Sequence, residues 1–148
     1  MKLFSFLPWI KSEQVSFAFE PKQSKLFGQI YQPMATVKFW SAADGRWREL
    51  RMLIDTGADY TIIPRYAAIW LGLDELETQG VFETVGVGGG LIVKYLEKVR
   101  VRLGDFEREI PLGIAQSNQI PPLLGRQAFF ETFQVQFKGK NKVIFQEK

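Results

Sequence analysis

A chain of 148 residues, 46% apolar and 24% charged, has the size and composition of one globular domain with a sizeable core. It has no cysteine and no histidine, which excludes a disulfide framework and Ser-His or Cys-His catalysis and disfavours a zinc site. A net charge of +3 is too small to imply nucleic acid without a clustered basic patch.

In chain order, the stretch from Met1 to Lys11 is apolar but brief and is broken by Pro8. It lacks the long apolar region and small-residue cleavage site of a signal peptide, so a cytoplasmic protein is expected. No run approaches a transmembrane helix. Weak membrane association of residues 1–10 stays open beside packing on the fold or on a partner chain. Val15, Phe17 and Phe19 alternate as a strand, which Glu20 to Ser24 breaks. Residues 1–32 are read as an N-terminal extension: an added strand, a pro-segment or a dimer-forming arm. Residues 33–148 are read as the main domain.

From Ala35 the β pattern becomes regular. Ala35, Val37 and Phe39 alternate with polar residues, and Asp44-Gly45 is a hairpin signal. The return strand carries Leu50, Met52 and Ile54 on one face and delivers Asp55 at its end. Thr61-Ile62-Ile63 leads to Pro64, which suits a first helical position, and Gly72 is placed to stop that helix. Tyr66 and Trp70 are expected to serve packing rather than a ligand. Two strands, from Val81 to Val85 and from Leu91 to Val93, flank Gly86-Val87-Gly88-Gly89-Gly90. So many glycines fit a tip that must flex or lie against another backbone, or a plain surface hairpin. No helix with Lys-Ser or Lys-Thr follows them, so a phosphate loop is excluded.

Val99, Val101 and Leu103 alternate with Lys98, Arg100 and Arg102, and Glu107 and Glu109 lie on the expected partner strand. That pairing accounts for the basic face without nucleic acid. A polar loop precedes Pro122-Leu123-Leu124-Gly125-Arg126, and a short helix is expected through Ala128-Phe129-Phe130. Phe133, Val135 and Phe137 form a late strand, followed by an added hairpin into Val143-Ile144-Phe145.

Two stretches carry the chemistry. Leu53-Ile54-Asp55-Thr56-Gly57-Ala58-Asp59 sets a carboxylate, a hydroxyl and a glycine in a turn after an apolar strand. Leu123-Leu124-Gly125-Arg126 follows much later. Together they resemble the retropepsin-like aspartic proteases over about residues 34 to 137. The resemblance implies a mostly β fold, a single-domain closed or sandwich-like acid protease barrel with a flap hairpin and two short helices. Hydrolysis in this class uses two carboxyl groups sharing a proton, one as base toward water and one as acid toward the carbonyl. The chain has one Asp-Thr-Gly and no room for two lobes, so a site of this kind requires an obligate homodimer with one Asp55 from each chain.

By the same resemblance, Thr56 hydrogen-bonds across the dyad and Gly57 allows the sharp turn. Asp59 and Arg126 form a buried ion pair that presents polar groups to substrate, with Ala58 and Gly125 supporting the loop. Gly86, Val87 and Gly88 form the flap tip. Ile62 and Leu123 line a side-chain pocket, though both also suit a plain core. Gln127 departs from the Asn or Asp often found there. No metal or other cofactor is implied, and the partner is a peptide or protein substrate. The alternative is a non-catalytic dimeric peptide-binding or interaction module on the same fold.

Overall fold

The computed structural model describes residues 13–76, 78–86 and 89–148. The stretch from Met1 to Lys11 and the tip residues Val87 and Gly88 lie outside them.

Twelve strands and one α-helix make up the described fold, which is mostly β. They are β1 (Gln14–Ala18), β2 (Glu20–Ser24), β3 (Gly28–Gln32), β4 (Met34–Ser41), β5 (Arg46–Ile54), β6 (Thr61–Ile63), the helix α1 (Arg65–Leu71), β7 (Val81–Gly86), β8 (Gly89–Leu103), β9 (Phe106–Ala115), β10 (Leu123–Leu124), β11 (Phe133–Lys138) and β12 (Lys142–Glu147). Strands run in the order β4-β5-β10-β6-β9-β8, and a β4–β8 pairing closes them into a six-stranded barrel. β7 hangs beyond β8 as the outer arm of a hairpin.

Alternation decides which side chains fill the barrel. Ala35, Val37 and Phe39 from β4, Met52 and Ile54 from β5, and Val101 and Leu103 from β8 are all buried, as are Ile110 and Leu112 from β9. The basic residues between them face outward. Arg100 and Arg102 pair with Glu107 across the strands, and both stack on Trp47. The face is therefore cross-paired between strands, as the sequence pattern indicates.

β8 is one strand of 15 residues rather than two. A register shift between Leu96 and Val99 lets it serve the hairpin at one end and the barrel at the other. α1 ends at Gly72, which adopts φ 71° and returns its amide to the Ile69 carbonyl. A side chain there would also strike Ser41 Oγ at 2.6 Å. Tyr66 and Trp70 are exposed on this helix. Trp70 lies under the Arg48 guanidinium and donates its Nε1 hydrogen to the Glu49 carbonyl at 3.1 Å.

The two ends of the chain meet in a second sheet ordered β1-β12-β11. Of the roles open to the N-terminal extension, β1 has that of an added strand. Phe145 of β12 anchors the sheet to the barrel, packed within 5.8–6.4 Å of Phe17, Phe129, Phe130 and Phe133. Because β12 is paired on both sides, only β1 and β11 offer outer edges.

Two expectations need correction. Glu20 to Ser24 is no break but a strand, β2, paired with β3 in a separate hairpin. Pro21 is tolerated because the ribbon has only two strands, so an amide is not missed on its open edge. The second short helix is a single 3-10 turn at Phe130–Thr132. Ala128 stands just before it with φ 56°, a left-handed conformation that prevents a helix from starting there.

Candidate active site

β5 ends on Ile54 and leads directly into Asp55, and its last residues are clamped from both sides. Leu53 and Ile54 pair in parallel with Leu123 and Leu124. The Leu53 amide donates to the Pro122 carbonyl (2.8 Å), that of Ile54 to Pro33 (2.9 Å), and that of Asp55 to Leu124 (3.0 Å). The aspartate is therefore set by backbone bonds to chain far away in sequence, not by its own turn alone.

The turn then folds over that carboxylate. Asp55 Oδ1 accepts the Gly57 amide at 3.0 Å, and the Asp55 carbonyl accepts the Ala58 amide at 3.2 Å. This is the side-chain-to-backbone bond by which aspartate closes tight turns. A Cβ at Gly57 would stand 3.3 Å from Oδ1, so a larger residue crowds the acceptor. Asp55 is half-buried, while Thr56 and Gly57 are exposed.

Arg126 braces the turn from outside. Its guanidinium donates to the Thr56 carbonyl and to Asp59 Oδ1, each at 2.6 Å. The backbone runs in step: the amides of Arg126 and Gln127 donate to the carbonyls of Ala58 (3.0 Å) and Asp59 (2.8 Å). The bond at Gln127 uses only its amide, so the departure at this position does not disturb the loop. The ion pair is not buried in the single chain, since the Asp59 side chain is 85% exposed and that of Arg126 47%. The turn lies on the protein surface, and none of the described residues covers the pair.

Gly125 is required by close approach. Its amide donates to the buried Thr61 hydroxyl at 3.2 Å, and any Cβ would be driven into the Tyr60 carbonyl. Ile62 and Leu123 are neighbours on adjacent strands. Ile62 is buried with Val93 and Ala115 in a small cluster apart from the main core, flanked by Tyr60, Leu91 and Ile120. Leu123 is half-buried.

Asp55, Thr56, Gly57, Ala58, Asp59, Ile62, Leu123, Gly125 and Arg126 are thus gathered at one end of the barrel. Gly86 ends the described part of β7, paired with Gly89 and exposed.

Sequence reasoning missed Tyr60. Its hydroxyl lies 2.7 Å from Thr84 Oγ1 on β7, tying the turn to the hairpin. An aromatic residue directly after the turn was its only signal, since the partner is remote in sequence. An open cleft of about 500 Å³ flanks the ion pair, lined by Asp59, Arg126, Gln127, Phe130, Glu131, Phe133 and Val135. Asp55 does not line it.

Chemically, one half-buried carboxylate in a rigid turn can accept a proton from water. It cannot also supply the acid, and the second group must come from elsewhere. Among the described residues, no group of three or more acidic side chains could hold a metal ion, and no helix is long and apolar enough to cross a membrane.

The sequence model of a protein family described as aspartyl protease matches residues 37–128, well over half of the chain. The match takes in both stretches around Asp55 and Gly125. No curated protein matches the chain.

Proposed function

The chain belongs to the aspartyl protease family of the retropepsin-like type, and from that premise we propose that it is an endopeptidase acting as a homodimer. One Asp55 from each protomer forms the dyad, one deprotonating water and the other protonating the scissile carbonyl. The observation that carries this reading is the state of Asp55: fixed by the Leu124 carbonyl and the Gly57 amide, yet presented on a surface turn outside the cleft beside the Asp59–Arg126 pair. A second copy across a two-fold axis supplies both the missing carboxyl group and the missing wall.

In this reading Thr56 bonds across the dyad, and the partner covers the Asp59–Arg126 pair that is exposed in the single chain. Asp59, Ile62 and Leu123 contact substrate. The β7–β8 hairpin is the flap, with Gly86, Val87 and Gly88 at its tip closing over an extended peptide. Residues 33–148 carry the protease unit, and residues 1–32 are an extension. The outer edge of β11 is available to the second chain. The cysteine-free composition suits a reducing compartment such as the cytoplasm.

The test is digestion of a diverse peptide mixture by wild type and Asp55→Asn from about pH 3 to 7, the acidic range in which a shared-proton dyad forms. Mass spectrometry reads the products and sedimentation the assembly. Cleavage by wild type alone, from a dimer, is expected. Peptide binding without cleavage would instead establish the non-catalytic module.

A further inference from the structure

The turn and the hairpin are joined within one chain through Tyr60. This residue follows Asp59 directly, and Thr84 lies on β7 two residues before Gly86. Their hydroxyls are 2.7 Å apart in a partly buried setting. Tyr60 has little freedom to leave. Its backbone carbonyl abuts Gly125, and its ring lies over Gly113, where a Cβ would come within 2.8 Å of the ring edge. Its ring also meets Tyr95 edge-on at 6.3 Å, and Tyr95 meets Phe82 of β7 edge-on at 5.8 Å. One hydrogen bond and a chain of three rings therefore run from the catalytic turn into the first strand of the hairpin.

The remaining ties of β7 are weak. It pairs only with β8 and forms the outer edge of the sheet, and Val81, Phe82 and Val85 are largely exposed. Beyond the Phe82–Val93 pair, where β8 is no longer paired with β9, β7 and β8 form a two-stranded ribbon, which is marginal by itself. The side-chain link to Tyr60 therefore has a disproportionate share in fixing where the hairpin lies. Its geometry is specific, because a tyrosine pinned on a glycine leaves its hydroxyl one place to point.

We propose that Tyr60 is a positioning residue, whose hydroxyl latches the β7–β8 hairpin to the Asp55 turn through Thr84 and holds it in register over the substrate site. The catalytic consequence rests on the protease reading, while the latch itself is a property of the single chain. Because the bond is already made in the unliganded chain, its loss is expected to weaken substrate capture more than it slows the chemical step.

Amide hydrogen exchange read by mass spectrometry over residues 79–96 tests it, using full-length wild type, Tyr60→Phe, Thr84→Val, the double variant and Thr84→Ser. All are made in the Asp55→Asn background as well, so that cleavage does not enter the measurement. Either hydroxyl deletion is expected to raise hairpin exchange about five-fold, as for loss of one ordinary hydrogen bond. The double variant should add little beyond either single change, and Thr84→Ser, which keeps the hydroxyl, should match wild type. Unchanged exchange in Tyr60→Phe or Thr84→Val, or full additivity in the double, would overturn the latch.

In the active background, Tyr60→Phe should raise KM about five-fold with a smaller change in kcat, and Thr84→Ser should restore the KM that Thr84→Val loses. A fall in kcat at constant KM would overturn the positioning role. If wild type cleaves nothing, the protease reading fails, and the exchange result alone decides the latch.

Discussion

Arg126 holds Asp59 and, with the same guanidinium, the carbonyl of Thr56, both at 2.6 Å. The planar fork of arginine makes this double grip possible; a lysine ammonium has one nitrogen and cannot span both acceptors with the same geometry. Since the pair is open to solvent, its Coulombic attraction contributes little, and its importance lies in fixing the direction of the turn.

Arg126→Lys should therefore leave the fold intact while lowering kcat/KM roughly ten- to hundred-fold, the scale of a small misplacement of a reacting group. Circular dichroism and steady-state cleavage check it. A variant cleaving as well as wild type would show that the backbone bonds to Ala58 and Asp59 suffice.

Gly125→Ala should be harmful to stability rather than to chemistry alone. The new methyl group meets the backbone of Tyr60, which cannot rotate away as a side chain could. A loss of about 1–3 kcal/mol is expected, as for overpacking elsewhere, read from urea unfolding. Gly86→Ala is the control, since none of the described residues lies within 4 Å of a Cβ there.

Phe145→Ala should cost about 3–5 kcal/mol. Phe145 is wholly buried and is the residue on which four other rings converge. Its removal unfastens β1, β12 and β11 from the barrel, so exchange should rise first in those strands.

Acid should act at Glu107. The hydrogen bonds from Arg102 and then Arg100, with the charge of both, hold its carboxyl below the ordinary value of 4.5. A depressed folded-state pKa adds stability above the unfolded pKa and loses it as pH falls through the folded one. The melting temperature of Glu107→Gln should thus lie below that of wild type at neutral pH, and the gap should close below about pH 4.

Asp55 at a strand end, Gly57 in the turn and Gly125-Arg126 far downstream were singled out by the resemblance of two short motifs, and the fold brings these residues together in space. What the sequence hid depends on remote partners. Tyr60 gains its role from Thr84 and from the bare surface of Gly113, neither visible from residue 60. β2 was obscured because Glu20-Pro21-Lys22-Gln23-Ser24 has no apolar alternation, and a ribbon without a buried face needs none. The expected helix near Phe130 shrank to one turn because Ala128 takes φ 56° just before it and a strand already begins at Phe133, neither of which a local apolar pattern reports. The exposure of the Asp59–Arg126 pair likewise follows from the surface position of the turn, which a motif does not report.

The parallel pairing of Leu53 and Ile54 with Leu123 and Leu124 also governs when the site comes into being. Contacts between residues so far apart close a large loop and form late in folding. A chain growing from its N-terminus holds Asp55 long before Gly125-Arg126 exists to clamp it. The aspartate is then an ordinary exposed side chain, and a nascent or truncated chain carries the residue without the clamp that orients it. On the proposed reading, competence for cleavage waits until the last third of the chain has been made and folded back.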